Sequence, residues 1–259
     1  MQTRTWMAFL AVGLAAFLLA GCGAKVSGVR ESKDFKYDDI VKGGMAVGGV
    51  FSMFEEQSPK HFNRNATNLM FSIQEEREDY PMTPVAAVRN ALGQETFQRV
   101  GNEYATDGIL SPQTLATLHK GVQARFIVLV RIQSNQVGEP SWSHFTEQRD
   151  SRGRVVQKER IHVERYREVK VAAQVYDLQM GKSVWNGLVT SGARTQKDYP
   201  ITQPGDLQAL EMLIRAAQGK KLTDDERTTA EKYPPPGPAP LFQLLPEAFK
   251  AFADRLPEG

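Results

Sequence analysis

The sequence is poor in the residues that carry thiol and metal chemistry. One cysteine, Cys22, and four histidines occur among its 259 residues. A single cysteine has no partner for a disulfide within the chain. The histidines His61, His119, His144 and His162 show neither HxxxH nor HxH spacing, so they predict no metal site.

Local signatures of catalysis are also missing. The sequence contains no GxSxG or SxxK motif, which mark two common classes of serine nucleophile. Gly48-Gly49 lacks the glycine and lysine spacing of a phosphate-binding loop. Adjacent acidic pairs such as Glu55-Glu56 do not face each other on a helix and point to opposite sides of a strand. We therefore expect no enzymatic activity and no cofactor, while a hydrolase whose site lacks a local motif stays open.

An excess of one charge and a membrane-spanning apolar run are both absent. The chain has 32 Lys and Arg against 30 Asp and Glu, a net charge of +2, which favours no polyanionic partner. The apolar run Trp6 to Ala20 has 15 residues, whereas a helix needs about 20 to cross a bilayer. Arg4 precedes this run and small residues end it, which is the order of a cleaved export signal over residues 1–21.

Leu19-Ala20-Gly21-Cys22 resembles the lipobox of bacterial lipoproteins. The resemblance implies that Cys22 becomes the first mature residue, carries acyl chains such as palmitate and anchors the protein to a membrane. Acylation of Cys22 would also exclude thiol catalysis, because no second thiol exists. Gly23, rather than Asp, after the cysteine resembles the sorting pattern for the outer membrane, which implies a lipid-anchored protein on its periplasmic face.

Residues 22–42 are polar and weakly patterned, which predicts a flexible tether with a reach of roughly 25 Å. A globular domain is then expected over residues 43–256. Met45 to Phe54 indicates a buried strand in which Gly48-Gly49 forms a bulge or admits a neighbouring backbone. Thr83-Pro84 and Ser111-Pro112 predict helix starts within residues 83–121.

Arg125 to Ile132 is a continuous apolar run that predicts a central strand. Apolar residues then alternate from Val169 to Val175, and a second run from Val184 to Val189 follows a glycine turn, which predicts an antiparallel hairpin with Gly181 at positive φ. A helix is expected near 206–218, a proline-rich segment at 233–240 and a last amphipathic helix over 246–256. The predicted fold class is α/β (α+β), a single mixed sheet with an antiparallel C-terminal hairpin and helices packed on the sheet.

The segment 136–168 differs from its surroundings because charged residues dominate it. Alternation at Ile161 and Val163 and a turn near Gly153 favour an exposed β-hairpin. The basic excess makes this insertion our predicted interaction surface, although a solvated hairpin with no ligand stays open. The residues concerned are Arg149, Arg152, Arg154, Lys158, Arg160, Arg165 and Arg167.

Residues 43–192 resemble a known group of bacterial envelope proteins in the order of their predicted elements and in one stretch of sequence. That stretch comprises Val175-Tyr176-Asp177-Leu178, Gly181-Lys182 and Val184-Trp185. This is the small α/β domain of lipoproteins of the curli-secretion-pore (CsgG) and penicillin-binding-protein-activator (LpoB) type. The resemblance implies a fold more than a function. A pore is disfavoured, because charges at Arg160, Glu164, Arg165 and Arg167 fall on both faces of a strand and leave no side for lipid.

The function expected from these observations is binding. The chain is interpreted as a non-enzymatic accessory subunit, an activator or assembly factor, of an envelope machine. The resemblance implies a protein partner such as a peptidoglycan synthase or a secretion component, with the membrane contacted through the lipid on Cys22 and no nucleic acid. An oligomer stays open, and the alternative function is an oligomeric component of a secretion or transport assembly.

Overall fold

The computed structural model describes residues 24–54, 58–149, 153, 155–201, 208–209, 211–212 and 233–259, with the backbone alone at 145–149 and 155–158. The helices are α1 (Tyr37–Gly43), α2 (Pro59–Glu76), α3 (Val85–Leu92), α4 (Gln94–Asp107), α5 (Pro112–Gly121) and α6 (Leu241–Ala253). The strands are β1 (Lys25–Glu31), β2 (Met45–Ser52), β3 (Met82–Thr83), β4 (Phe126–Val137), β5 (Ser141–Arg149), β6 (Val155–Asp177) and β7 (Lys182–Pro200). In this described part of the chain, no helix combines the length and the apolar character needed to cross a bilayer.

All seven strands belong to one sheet in the order β1-β7-β6-β4-β2-β3, with β5 also paired to β6. β2 runs parallel to β3 and β4, whereas β1 is antiparallel to β7 and β5 to β6. β6 and β7 are neighbours joined by a short turn, so they form the predicted antiparallel hairpin, and Gly181 in this turn has φ 61°. The mixed sheet with packed helices confirms the predicted fold class.

The chain divides into two compact units. Unit 1 comprises residues 1–135, 169–192 and 241–259, and unit 2 comprises residues 136–168 and 193–240. The charged insertion predicted at 136–168 coincides with the first part of unit 2. Three of the boundaries between the units fall within β4, β6 and β7, and the fourth immediately precedes α6.

The strand β2 is buried on both faces, as its apolar pattern predicts, and Met45, Val47 and Val50 have no exposed surface. Its pairing with β4 shifts register between Val47 and Gly49, which confirms the predicted bulge. A Cβ atom on Gly48 would lie 2.6 Å from Cδ2 of Leu129, so a side chain there would collide with β4. The strand ends at Ser52, two residues before the predicted end.

The Ser-Pro helix starts follow capping chemistry. The Ser111 hydroxyl accepts a hydrogen bond from the backbone N–H of Thr114 at 3.3 Å, and α5 begins at the next residue, as predicted. Ser58 caps α2 in the same way. The prediction for Thr83 was wrong, because Thr83 pairs with β2 as part of β3 and Pro84 takes the N-cap position of α3.

Residues 25–42 do not form the predicted tether. β1 pairs with β7, with Val26 opposite Val189, and α1 follows it. Phe35 and Ile40 are 3% and 0% exposed, and the ring of Phe35 lies 5.4 Å from that of Phe126. β1 is an edge strand with mostly exposed side chains, so its composition is as polar as that of a linker.

The C-terminal helix also differs from its predicted bounds. α6 begins at Leu241, with Pro246 inside it, and ends at Ala253 rather than at Leu256. Phe249, Phe252 and Leu256 are buried, as their helical spacing predicts. Residues 233–240 form neither helix nor strand, and the helix predicted near 206–218 lies largely outside the described residues.

A buried arginine ties the end of α6 to α2. Arg77, 9% exposed, follows the last turn of α2. Its Nη2 donates to the carbonyl oxygens of Asp254 and Leu256 at 2.9 and 2.8 Å, and its Nη1 donates to the carbonyl of Glu76 at 2.7 Å. Arg77 thereby supplies hydrogen-bond donors to backbone carbonyls of the residues that follow α6.

A second arginine, the half-buried Arg125, pairs with a buried carboxylate and joins three parts of unit 1. The Asp177 side chain is 0% exposed, and its Oδ2 accepts from Nε and Nη2 of Arg125, each at 2.9 Å. Its Oδ1 accepts from the backbone N–H groups of Gln179 and Met180 at 2.9 and 3.0 Å. Nη1 of Arg125 reaches Oδ1 of Asp39 in α1 at 2.9 Å. Asp177 therefore fixes both the β6–β7 turn and the residue preceding β4.

The substitution Arg125→Met tests this contact. It leaves a fully buried carboxylate without its cation, so we expect the free energy of unfolding to fall by about 3–5 kcal/mol. Chemical denaturation followed by circular dichroism measures the change. The control Lys182→Ala removes an ion pair with Asp34 in which the two side chains are 47% and 52% exposed, and no comparable loss is expected. Equal losses in both variants would contradict the role given to Asp177.

Candidate functional site

The structure describes no side chain for four of the seven basic residues that were predicted as an interaction surface. Arg149 lies in β5 and Lys158 in β6, where only their backbones are described; Lys158 is paired with Glu147 across the hairpin. Arg152 and Arg154 lie outside the described residues, as does the predicted lipidation site Cys22. The antiparallel register of β5 and β6 shows that the insertion is a hairpin, as its alternation predicts.

The other three basic residues contact groups within unit 2. Arg160 Nη1 lies 3.9 Å from Oδ2 of Asp198. Arg165 Nε donates to the carbonyl oxygen of Gly138 at 3.5 Å. Arg167 Nη1 donates to the carbonyl oxygen of Ala239 at 2.8 Å. These arginines therefore contribute to the structure of unit 2, whatever else they bind.

The contact of Arg167 is one of several that hold the proline-rich segment 233–240. Tyr199 donates its hydroxyl to the carbonyl of Pro234 at 2.6 Å, and Thr195 donates to that of Gly237 at 2.6 Å. A segment rich in proline has few N–H donors, so its carbonyls depend on side-chain donors or water. The strands β6 and β7 supply these donors, a role that the sequence does not reveal.

Unit 2 also has an apolar cluster under the hairpin. Ile161 and Val163 of β6 have no exposed surface and pack with Tyr233, while Trp142 and Tyr199 are partly buried against them. Among the polar residues of these strands, Nδ1 of His162 lies 2.7 Å from Oδ1 of Asp198. One face of the insertion is thus core, and a deletion of residues 140–166 would remove it.

Unit 1 contains a pocket that the sequence does not predict. Its floor consists of three phenylalanines, Phe51 at the end of β2, Phe62 of α2 and Phe97 of α4. The ring centroids of Phe51 and Phe62 are 5.5 Å apart, and those of Phe62 and Phe97 are 5.9 Å apart in an edge-to-face arrangement. The pocket volume is about 240 Å³. It lies at the carboxyl end of a parallel strand, where α/β sheets commonly bind ligands.

Two glycines make room for the aromatic floor. A Cβ atom on Gly101 would lie 2.5 Å from Cε1 of Phe51, and one on Gly49 would lie 2.7 Å from Cζ of Phe62. Gly49 also has φ 139°, a conformation that other residues rarely adopt. Behind the floor, burial raises the pKa of the Tyr104 phenol, and its hydroxyl donates to the carbonyl of Leu129 at 3.1 Å.

The rim of the pocket is polar. Gln94 and Gln98 are exposed on α4, and Asn102 continues the series at the same four-residue spacing. Arg89 of α3 donates from Nη2 to Oδ1 of Asn63 at 3.2 Å. Among the described residues that line the pocket, Arg89 alone has an ionisable side chain. An aromatic floor with an amide and guanidinium rim suits the binding of an apolar group, and the lining residues that the structure describes include no acid–base pair.

The local sequence does not predict this pocket, because its three phenylalanines occur in three separate elements. Phe51 belongs to the strand that the apolar pattern predicts as buried, and Phe97 lies on the apolar face of α4 and is only 7% exposed. The one local signal is Gly101, which lies four residues after Phe97 on the same face of a helix, where glycine is unfavourable.

The substitution Gly101→Ala tests the packing around the pocket. Alanine favours a helix by up to about 1 kcal/mol over glycine, but its Cβ would collide with Phe51, so we expect a loss of about 1–3 kcal/mol in the free energy of unfolding. Denaturant titration measures it. In the double variant Gly101→Ala/Phe51→Leu the ring is absent, so the two losses should be less than additive. A stabilising Gly101→Ala would contradict the close approach.

Comparisons with known proteins give distant similarity. No protein-family model matches the sequence, and no curated protein matches it. Similar solved structures include the PelC dodecamer of Paraburkholderia phytofirmans, at 11% identity and TM-score 0.32, covering 66% of this chain and 82% of that chain. Lipoprotein GNA1162 of Neisseria meningitidis has 16% identity and TM-score 0.27, covering 68% and 95%. The C-terminal domain of LpoB from Salmonella enterica has 9% identity and TM-score 0.32, covering 66% and 88%. At these values the similarities assign no function.

Proposed function

We propose that this chain is a lipoprotein of the outer membrane that faces the periplasm and acts, without catalysis, as a binding or accessory subunit of an envelope machine. Its role would be that of an activator or an assembly factor. The partner would be an envelope protein, of which a peptidoglycan synthase and a secretion component are the classes implied by the sequence resemblance. The membrane is contacted through the lipid on Cys22.

The observation that carries the binding role is the chemistry of the aromatic pocket. Its floor offers Phe51, Phe62 and Phe97 to an apolar group, and its rim offers amides and the Arg89 guanidinium to a peptide backbone or a carboxylate. The described residues of this lining can hold and orient a ligand, and none of them exchanges a proton near neutral pH.

The anchor is supported by the sequence. A short apolar run, small residues and a single cysteine follow one another at the N-terminus in the order of a lipoprotein signal. Two or more acyl chains on one residue give stable membrane attachment, so the rest of the chain needs no lipid contact of its own.

The insertion surface remains our second candidate contact. Arg149, Arg152, Arg154 and Lys158 flank the turn of the β5–β6 hairpin in the sequence, apart from the arginines that contact other groups of unit 2. A partner with acidic side chains would complement them.

Lipidation is tested with the substitution Cys22→Ser. In cells grown with labelled palmitate, the natural chain should incorporate label and the variant should incorporate none, because the acceptor thiol is lost. Membrane fractionation on a density gradient should place the natural chain with the outer membrane. A natural chain without label, or one recovered with the inner membrane, would contradict the corresponding part of the proposal.

Partner binding is tested by crosslinking in cells. The variant carrying Arg149→Ser, Arg152→Ser, Arg154→Ser and Lys158→Ser should lower the yield of a crosslinked envelope partner about tenfold or more, if the hairpin turn carries contact residues. The matched control replaces the same number of exposed lysines elsewhere, Lys33, Lys36, Lys42 and Lys60, with serine and should keep the yield. Circular dichroism verifies that both variants fold. An unchanged yield in the first variant would exclude the hairpin as the contact.

A further inference from the structure

A groove between α2 and α6 of unit 1 lies close to the residue predicted to carry lipid. Ala24, the first residue that the structure describes, lines this groove together with Glu75 of α2 and Pro246 of α6. Cys22 precedes Ala24 by two positions, so the Cα atoms of these two residues are at most roughly 7 Å apart. Acyl chains on Cys22 would therefore enter a bilayer beside the groove.

Two exposed phenylalanines flank this groove. Phe71 of α2 is 55% exposed and Phe242 of α6 is 47% exposed. Each lies four residues before a residue of the groove, Glu75 and Pro246 respectively, and side chains four positions apart are neighbours on a helix. Cζ of Arg64, seven residues before Phe71 on the same side of α2, lies 5.2 Å from the centroid of the Phe242 ring. These residues and the groove form one surface, which we call the α2–α6 face.

The described charged side chains of this face have both signs. The carboxylates and cations concerned are Glu75, Glu76, Glu247, Asp254, Arg64 and Lys250. Within this set, Nζ of Lys250 lies 3.2 Å from Oε1 of Glu76. A phosphatidylethanolamine headgroup also carries both signs, since its ammonium suits a carboxylate and its phosphate suits a guanidinium. The face therefore complements a zwitterionic lipid surface better than an anionic one.

We propose that the α2–α6 face of the lipidated chain lies on the bilayer, with the side chains of Phe71 and Phe242 inserted among the headgroups of zwitterionic phospholipids. This inference rests on the proposed anchor at Cys22 and deepens it. The acyl chains supply the attachment, and the α2–α6 face determines which side of unit 1 is turned toward the membrane.

The apolar area of this face is small, and the anchor compensates for it. Membrane affinity scales with the buried apolar area, so two partly exposed rings alone would bind a bilayer weakly. An acylated chain is already held at the membrane, which makes the contact intramolecular and raises its effective concentration. A modest gain from Phe71 and Phe242 is then enough to select one orientation.

The first test uses the acylated full chain in vesicles of equal parts phosphatidylethanolamine and phosphatidylcholine. Cys22 is the only cysteine and its thiol is acylated, so a cysteine introduced by Phe71→Cys or Phe242→Cys is the one thiol that reacts with a fluorescent probe. Phospholipids with a nitroxide near the headgroup should quench the probe at both positions, and its emission should shift to the blue. The control Ile109→Cys replaces a side chain of unit 1 that is 63% exposed and does not line the groove, so its probe should show neither effect.

A second test removes the apolar contact while the probe is at a third position of the face, introduced by Gln243→Cys. The double variant Phe71→Asp/Phe242→Asp should shift the equilibrium between bound and free orientations at least about tenfold toward the free one, and the quenching should be lost. The matched control Ile109→Asp/Met180→Asp changes two exposed apolar side chains outside the groove and should keep the quenching. Circular dichroism verifies that both variants fold.

The outcomes separate this inference from the proposed anchor. A chain that incorporates labelled palmitate but shows equal quenching at positions 71, 242 and 109 would overturn the inference and leave the anchor in place. A chain without palmitate would overturn both. In cells, benzoylphenylalanine at position 71 should crosslink to phospholipid, and crosslinks from this position only to a protein would also overturn the inference. Quenching that appears only when phosphatidylglycerol replaces the zwitterionic lipids would overturn the assignment of the headgroup.

Discussion

The pairing of Arg125 with the buried carboxylate of Asp177 is the interaction on which the packing of unit 1 depends. A carboxylate without exposed surface is stable only when donors surround it, and Asp177 receives two from one guanidinium and two from the backbone of its own turn. The same guanidinium reaches Asp39 of α1. One charge therefore holds a hairpin turn, the start of a central strand and the first helix in a single arrangement.

This contact also explains a sequence motif. The run from Val175 to Leu178, with Gly181-Lys182 after it, carries the resemblance to envelope lipoprotein domains. In the structure, Asp177 closes the turn by accepting two N–H groups, and Gly181 supplies the positive φ that the turn needs. These residues are required by the fold, so the motif carries no information about a ligand.

Features determined by local sequence were predictable. The apolar run of β4, the alternation in β6 and the Ser111-Pro112 helix start each depend on neighbours within one element. β1 was not predictable, because an edge strand with exposed side chains has the composition of a linker. Thr83 was misassigned because pairing with β2, a contact distant in sequence, overrides the capping pattern.

The candidate site illustrates the same limit. Aromatic residues from β2, α2 and α4 look like core residues in the sequence, and whether space remains between them depends on Gly49 and Gly101. In unit 2, the hairpin was predictable from its alternation, whereas the contact of Arg167 with the proline-rich segment joins residues far apart in the chain. Composition identifies a charged segment, but it does not show whether an arginine side chain hydrogen-bonds to the backbone of the same protein or is available to bind another molecule.

The early start of β1 has a consequence for how a lipidated chain would encounter other molecules. β1, the first strand of the sheet along the chain, begins at Lys25, three positions after Cys22. Three residues span at most about 11 Å. A protein acylated at Cys22 would carry its folded part at the level of the lipid headgroups, without the reach of a tether. Its encounters would then be governed by lateral diffusion and by the number of molecules per unit area of membrane, rather than by their concentration in the surrounding volume.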